Sequence, residues 1–378
     1  MTIKENIILE DTTLRDGEQA PGVAFSKKTK VSIFNSLVEA GVKWIEAGIP
    51  AMKGDEVLAL QEILERKDEV NIIGWNRGVL EDIKYSLSLG FKAIHIGLPT
   101  SNIHLKHSVS KDRNWLLTTS SDMIKFAKDK GIFVSISAED VGRTEISFLQ
   151  EYAGNVAEAG ADRLRLSDTI GILNSQQYAQ RVYAVREASS INLQCHCHND
   201  FGLAVANTLA GLEAGARYFH VCVNAMGERA GMPDLSQIVM ALQHFYQIDV
   251  GVDTQQLTSL SHKVAQASGY SISPWQPIVG SNVFAHESGI HVNGMLKDSK
   301  TFEPFEPTMV GGQRRMVIGK HSGRAVLQNI LEERGIETVP QTLEHCLSLV
   351  RKAAEKHPGG IPAHTLCELY RQAEGAIA

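Results

Sequence analysis

Two histidines stand two residues apart in QCHCHNDFG (194–202), with an Asn-Asp pair directly after them. Successive side chains of an extended strand alternate between faces, so His196 and His198 share one face and Cys195 and Cys197 the other. Two imidazoles on one face are half of a metal site. The rival readings are one core and one exposed histidine, or a Cys-x-Cys site, for which two cysteines without close partners make a poor tetrahedral set. A distant stretch favours the metal. DTTLRDGEQ (11–19) crowds Arg15, Asp16, Glu18 and Gln19 into one turn. An acid from this turn would complete an Asp–His–His set and leave coordination positions open, as a catalytic ion requires. Mixed nitrogen and oxygen donors suit Zn, Mn, Co, Fe or Mg alike. Arg15 beside such an ion would place a fixed positive charge where an oxyanion forms. Taken alone, the same turn reads as a solvated charge cluster.

The elements that must position these groups follow a repeating pattern, in which a helical segment ends in Gly and an apolar, β-prone run follows. It occurs in LVEAGVKWIEAG (37–48), SLSLGFKAIHIG (86–97), FAKDKGIFVSIS (126–137), VAEAGADRLRLS (156–167) and LAGLEAGARYFHVCV (209–223). Glycine closes a helix by taking the left-handed conformation cheaply, so each copy predicts a helix C-cap and then a strand. IILED (7–11), VNIIGW (70–75) and LQCHC (193–197) bring the strands to eight, alternating with helices. That count predicts an α/β fold of the (β/α)8 TIM-barrel type. A doubly wound open sheet is the rival, but no G-x-G-x-x-G follows the first strand. Barrel enzymes gather their sites at the C-terminal ends of the strands. Glu139, Thr169 and Asn224, at the ends of strands five, six and eight, are therefore expected to face the same cavity as the histidine pair. The rhythm is broken from SPWQP (273–277) onward, where a Gly-, His- and Asn-rich stretch and three helical patterns follow. The expected division is a catalytic barrel over 1–255 and a mostly helical C-terminal extension over 256–378.

Composition narrows the function classes. The 378 residues are 43% hydrophobic and 21% charged, with a net charge of −6, which argues against a general nucleic-acid surface. No apolar run reaches membrane-spanning length, and the opening residues lack signal-peptide order. Five irregularly spaced cysteines are unlike a secreted disulfide framework and predict a reducing cytoplasm.

The two stretches together resemble the paired signatures of the homocitrate/isopropylmalate/citramalate synthases, a branch of the DRE-TIM metallolyases: LRDGEQ with Lys30 beyond it, and LQCHCHNDFGLAVAN (193–207). The similarity continues through GERAG (227–231), AHESGIHVNGML (285–296) and GKHSG (319–323), so it spans nearly the whole chain. GVAF (22–25), EAGIPAM (46–52), GWNR (74–77) and KDRNW (111–115) look most like the nitrogenase-associated subgroup. The resemblance implies a metal-dependent Claisen condensation of acetyl-CoA with a 2-oxo acid, 2-oxoglutarate giving (R)-homocitrate in that subgroup. It implies Asp16, His196 and His198 as ligands of a divalent ion, and Arg15, Glu139 and His291 as catalytic groups. It also implies Gln19, Thr169, Ser137 and Arg77 as substrate contacts, and a homodimer in which His291 serves the neighbouring subunit.

Three positions depart from the family pattern. Phe302 stands where a Tyr is usual, Met232 replaces the amide of GERAGN, and Ser135 occupies the place of the Arg that grips the distal carboxylate in lysine-pathway homocitrate synthases. With Ser135 there, Arg77, Arg113, His104 and His107 are the candidates for reading the distal acid. Alternatives within the class exchange the acceptor for pyruvate, 2-oxoisovalerate or a phosphonate analogue. Outside it stand a lyase of the hydroxymethylglutaryl-CoA type, against which the SGIH segment argues, and a non-catalytic binding protein.

Overall fold

The computed structural model describes residue 3 and residues 6–377, as two compact units divided between Ile272 and Ser273. The first unit is a closed barrel of eight parallel strands in sequential order, the last paired to the first. The strands are β1 (Ile8–Asp11), β2 (Trp44–Gly48), β3 (Asn71–Arg77), β4 (Ala93–Gly97), β5 (Phe133–Glu139), β6 (Arg163–Asp168), β7 (Asn192–Cys197) and β8 (Tyr218–Val221). Between and after them lie α1 (Lys27–Glu39), α2 (Gly54–Ile63), α3 (Leu80–Ser88), α4 (Asn102–His107), α5 (Arg113–Lys128), α6 (Ile146–Glu158), α7 (Ser175–Ala188), α8 (Ala204–Glu213), α9 (Leu235–Tyr246) and α10 (Leu257–Ser268). All eight strands expected from the sequence are present. The helix-ending glycines of the repeat, Gly41, Gly90, Gly131, Gly160 and Gly215, all have positive φ. At Gly41 the need is also steric, because a Cβ there would lie 2.2 Å from the Gly251 carbonyl oxygen.

Alternation along the strands sends apolar side chains outward to the helices and polar ones inward. In β6, Leu164 and Leu166 take the apolar positions while Arg163 and Arg165 carry the polar ones, and all four are buried. The interior is therefore a charged plug rather than the branched aliphatic layers common in this fold. At its base Arg163 lies over Trp44, Phe133 and Tyr218, at 4.8 to 5.7 Å from their ring centroids. Its Nη1 donates to Glu10 at 2.6 Å, and Arg165 bonds to Glu10, Glu46 and Gln194. Buried carboxylates of this kind persist only when arginines answer them.

The division expected after residue 255 falls later. Helix α10 belongs to the first unit, burying Leu257, Leu260 and Val264 there, and the Asn224 side-chain amide donates to the Ser261 carbonyl at 2.9 Å. The second unit carries a two-stranded parallel ribbon of β9 (Ala285–His286) and β10 (Arg315–Met316). Its helices are α11 (Gly289–Met295), α12 (Arg324–Glu332), α13 (Pro340–Ala353) and α14 (Ala363–Ile377). Val292, Val326, Leu327, Leu331, Cys346, Val350 and Leu366 are among its core. The mostly helical extension is thus as expected. Among the described residues, no helix is long and apolar enough to cross a membrane.

Candidate active site

The turn after β1 is built by its own carboxylate. Asp11 accepts from the Thr13 amide and hydroxyl, both at 2.9 Å, and the chain folds back so that the Arg15 and Gly17 amides donate to the Thr12 carbonyl. This projects Arg15 and Asp16 over the C-terminal end of the barrel, both buried. Arg15 Nε donates to Glu46 on β2, and its Nη1 donates to Asp16 at 2.7 Å and to Gln19 at 3.3 Å. The two glutamates of the plug are pulled below the usual carboxylate range against the cost of burial. Arg15 and Arg165 do this for Glu46, while Arg163 and His220 bring Glu10 to about 2. They act as fixed negative charges that clamp the arginines.

From β7 the two histidines enter the same space. His196 Nε2 lies 3.3 Å from His198 Nε2 and 3.6 Å from Asp16 Oδ2. Ligands held about 2.0–2.2 Å from one ion lie about 3.0–3.5 Å apart, so these atoms already have the spacing of a coordination sphere. Burial keeps both imidazoles below their ordinary range and hence neutral, as ligation requires. Asp16 Oδ1 is buried with no hydrogen-bond partner, and a Cβ at Gly227 would come within 3.0 Å of it. The residues fit a divalent cation. Behind them, His196 Nδ1 is 2.8 Å from His220 Nδ1, and His220 Nε2 is 2.7 Å from Glu10. With His196 Nε2 turned to an ion, its Nδ1–H donates to His220, whose Nε2–H donates to the carboxylate, a chain that fixes the ligand's tautomer.

These groups open into a cavity of about 200 Å³ lined by Arg15, Asp16, Gln19, Ser137, Glu139, Thr169, His196 and His198, with Trp75, His95, Arg165, Ser167, Glu228 and Arg229 completing the wall. Burial raises Glu139 above the ordinary carboxylate range, and its Oε1 accepts from the Ser137 hydroxyl at 3.3 Å. Thr169 Oγ1 accepts from the Asp140 amide at 2.8 Å.

Several expected residues lie elsewhere. Arg77 pairs with Asp82 at 2.7 and 2.9 Å and its side chain is 63% exposed, because the acid at the start of α3 captures it first. Asn224, in a left-handed turn with φ of 58°, is tied to Ser261 instead of facing the cavity. Arg113 bonds to Asn102 and Glu145, and His104 lies by Arg143; neither they nor His107 line the cavity. His291 is in the second unit, exposed on α11 and stacked on Phe302 with ring centroids 4.0 Å apart. Met232 is fully buried. Sequence reasoning missed His95, Arg165, Trp75, Ser167, Glu228 and Arg229. The signal for His95, Arg165 and Ser167 was available in AIHIG and RLRLS, whose polar residues share one strand face.

A parallel eight-stranded barrel whose rim converges two imidazoles and a carboxylate beside a buried arginine defines a metal-dependent lyase or synthase of the TIM-barrel class. The chain belongs to the HMGL-like family, which residues 6–264 match, and residues 278–358 match the homocitrate synthase post-HMGL domain. Within the DRE-TIM metallolyases it falls in the branch of acetyl-CoA-condensing synthases. It is 60% identical over 371 residues to 2-phosphonomethylmalate synthase of Streptomyces rubellomurinus, covering 98% of this chain and 100% of that one. It is 41% identical over 366 residues to homocitrate synthase 1 of a Nostoc species, covering 97% of each. Among solved structures, an HMG-CoA lyase from Bacillus subtilis superposes with a TM-score of 0.66 at 18% identity, over 72% of this chain and 97% of that one, a likeness of fold.

Proposed function

We propose that this protein joins acetyl-CoA to 3-phosphonopyruvate, releasing CoA and forming 2-phosphonomethylmalate. The observation that carries the condensation is the meeting of Asp16, His196, His198 and Arg15 in one cavity. The choice of acceptor rests on the 60% identity to the Streptomyces synthase over the full chain. Disconnecting the carbon–carbon bond that a Claisen condensation makes in 2-phosphonomethylmalate leaves acetate and 3-phosphonopyruvate. The interior plug balances its own charges, since Arg15, Arg163 and Arg165 face the carboxylates of Glu10 and Glu46 and Arg15 also pairs with Asp16. The 2-oxoglutarate acceptor expected from the resemblance remains the second reading, supported by the Nostoc relative.

Asp16, His196 and His198 would hold a divalent cation, which would supply Lewis-acid polarisation to the acceptor's keto oxygen. Arg15 holds a guanidinium donor beside that oxygen as it becomes an alkoxide. Thr169 and Gln19 bind the adjoining carboxylate, and Ser137 orients Glu139. Among the cavity's histidines, two are ligands and His95 is bonded through Nδ1 to Ser135. The resemblance to the family implies that the base taking the acetyl methyl proton is His291 of a second copy, with Glu139 as its partner, and with it a homodimer as the working unit. Phe302 supports that ring by stacking and adds no phenol. The resulting enolate carbon bonds to the keto carbon, and water cleaves the thioester. All five cysteines are buried and unpaired.

The test is CoA release, followed by a thiol reagent, across 3-phosphonopyruvate, 2-oxoglutarate, pyruvate and 2-oxoisovalerate with added divalent metals. The highest kcat/KM is expected with 3-phosphonopyruvate. A preference for 2-oxoglutarate would install homocitrate as the product, and no release with any acceptor would overturn the condensation itself.

A further inference from the structure

The residue directly after Glu139 is held from several sides. Asp140 is fully buried and stands in the left-handed region, with φ of 62°. Glycine takes that conformation most cheaply, and asparagine or aspartate come next. A turn alone would be served by glycine, without a buried charge. Here Asp140 Oδ2 accepts from Arg143 Nε at 2.7 Å, while Oδ1 is buried with no partner among the described residues. Arg143 also donates through Nη2 to His104 Nε2 at 3.1 Å. The Asp140 carbonyl accepts from the Thr144 hydroxyl at 2.9 Å, and the Val141 amide donates to the Ser167 carbonyl at 3.0 Å. From α7, Arg181 donates to the Val141 and Gly142 carbonyls at 2.6 and 3.0 Å. What this pinned turn presents to β6 is one amide, and the Asp140 N–H donates to Thr169 Oγ1 at 2.8 Å.

A hydroxyl has one proton to give and two lone pairs to receive. With the Asp140 amide seated on a lone pair, the Thr169 proton is directed elsewhere. Its acceptor among the described residues is the Ser167 carbonyl at 3.4 Å, a long bond that a ligand oxygen would outcompete. Thr169 lines the cavity, whereas Asp140 and Arg143 stand outside its wall. We propose that Asp140 is a positioning residue, whose clamped left-handed amide fixes the Thr169 hydroxyl as a donor to the carboxylate of the 2-oxo acid. This rests on the condensation reading, in which Thr169 binds that carboxylate, and adds to it the residue that sets the direction of the bond. Arg143 holds the turn by pairing with the Asp140 side chain. If residue 140 leaves the left-handed region, its amide swings away from Thr169. The hydroxyl then rotates freely, and the ordering of that rotor is charged to substrate binding.

Two measurements test this. In steady-state kinetics, Asp140→Ala should raise KM for the 2-oxo acid by about 10- to 100-fold, the scale set by a misplacement of about 1 Å, and leave KM for acetyl-CoA unchanged. Asp140→Asn, which tolerates the left-handed turn and still receives Arg143, should restore most of the affinity. Arg143→Met, which touches neither Asp140 nor Thr169, should raise the same KM to a smaller extent. A merely structural residue would change only the amount of active enzyme, lowering kcat at constant KM. That result, or an Asn variant as impaired as the Ala variant, would overturn the proposal. The second measurement needs no turnover. Oxalate, which carries a carboxylate beside a second oxygen donor, is titrated calorimetrically into the Mn(II)-loaded protein. Asp140→Ala and Thr169→Val should each weaken it by about 10-fold and the double variant no further, because both remove one interaction. Additive losses, or oxalate affinity indifferent to Asp140→Ala, would overturn it. Failure of the wild type with every acceptor while the oxalate coupling holds would instead strike the condensation reading alone.

Discussion

Two clusters in this barrel have nearly the same composition and opposite fates. Asp16, His196 and His198 at the rim, and Glu10, Glu46 and His220 one layer below, each bring three ligand-type atoms within 4.8 Å of one another. In the lower cluster every acid is answered: Glu10 by Arg163, Arg165 and His220, and Glu46 by Arg15 and Arg165. In the upper one, Asp16 Oδ1 and His198 Nδ1 are buried without partners, and the group opens into a cavity. Ligand types and spacing therefore do not define a metal site by themselves. What distinguishes the rim is unspent bonding capacity, whereas the layer below is a neutralised clamp that holds Arg15 and His196 in place.

The largest effect expected from this contrast is at the rim. His198→Ala or Asp16→Asn should reduce condensation by at least about 1000-fold, since the ion carries much of the charge stabilisation, and CoA-release assays would show it. Substantial activity in either variant would erase the distinction between the clusters. Arg15→Lys comes next. It should leave ion binding intact but lower kcat by about 100- to 1000-fold, the scale for losing one oxyanion donor. A loss confined to KM would place Arg15 in ground-state binding instead.

A smaller effect sharpens the comparison from below. His220→Gln should weaken ion affinity by about 10- to 100-fold without removing a ligand, as expected for an outer partner of a coordinating histidine. Unchanged affinity in a Mn(II) competition titration would make the His196–His220–Glu10 chain a packing feature only. The smallest effect is on stability against pH. Burial lowers His220 from its ordinary 6.5 to about 4. The unfolded chain therefore takes up a proton in that window that the folded one does not, so stability is complete above pH 6.5 and declines as pH falls toward 4. The shift corresponds to at most about 3 kcal/mol. Thermal melts between pH 7 and 4 should be steeper in pH for the wild type than for His220→Gln, and identical slopes would contradict the assignment.

The barrel was legible because its signals are local. Glycine-ended helices followed by alternating strands need no tertiary knowledge, and all eight strands lie where those signals put them. The rim triad was legible because His-x-His on a strand and a crowded acidic turn restrict each other. Arg77 and Asn224 were misplaced because position at a strand end sets where a side chain starts and not what it meets. Asp82, five residues on, captured one, and Ser261, thirty-seven residues on, captured the other. His95 and Arg165 escaped notice because reading for apolar runs discards the opposite face of the strand. In this protein that face is the site's floor. The boundary after 255 failed for a related reason, since the end of the eighth unit gives no sign that α10 still packs on the barrel.

The central claim is that one divalent ion binds per chain, held by the rim cluster alone. Titrating the purified protein with Mn(II) and counting bound ions by electron paramagnetic resonance tests it most directly. One ion per chain in the wild type is predicted, lost in His196→Asn and retained in Glu46→Gln. Two ions per chain, or one that survives His196→Asn and disappears with Glu46→Gln, would contradict the account.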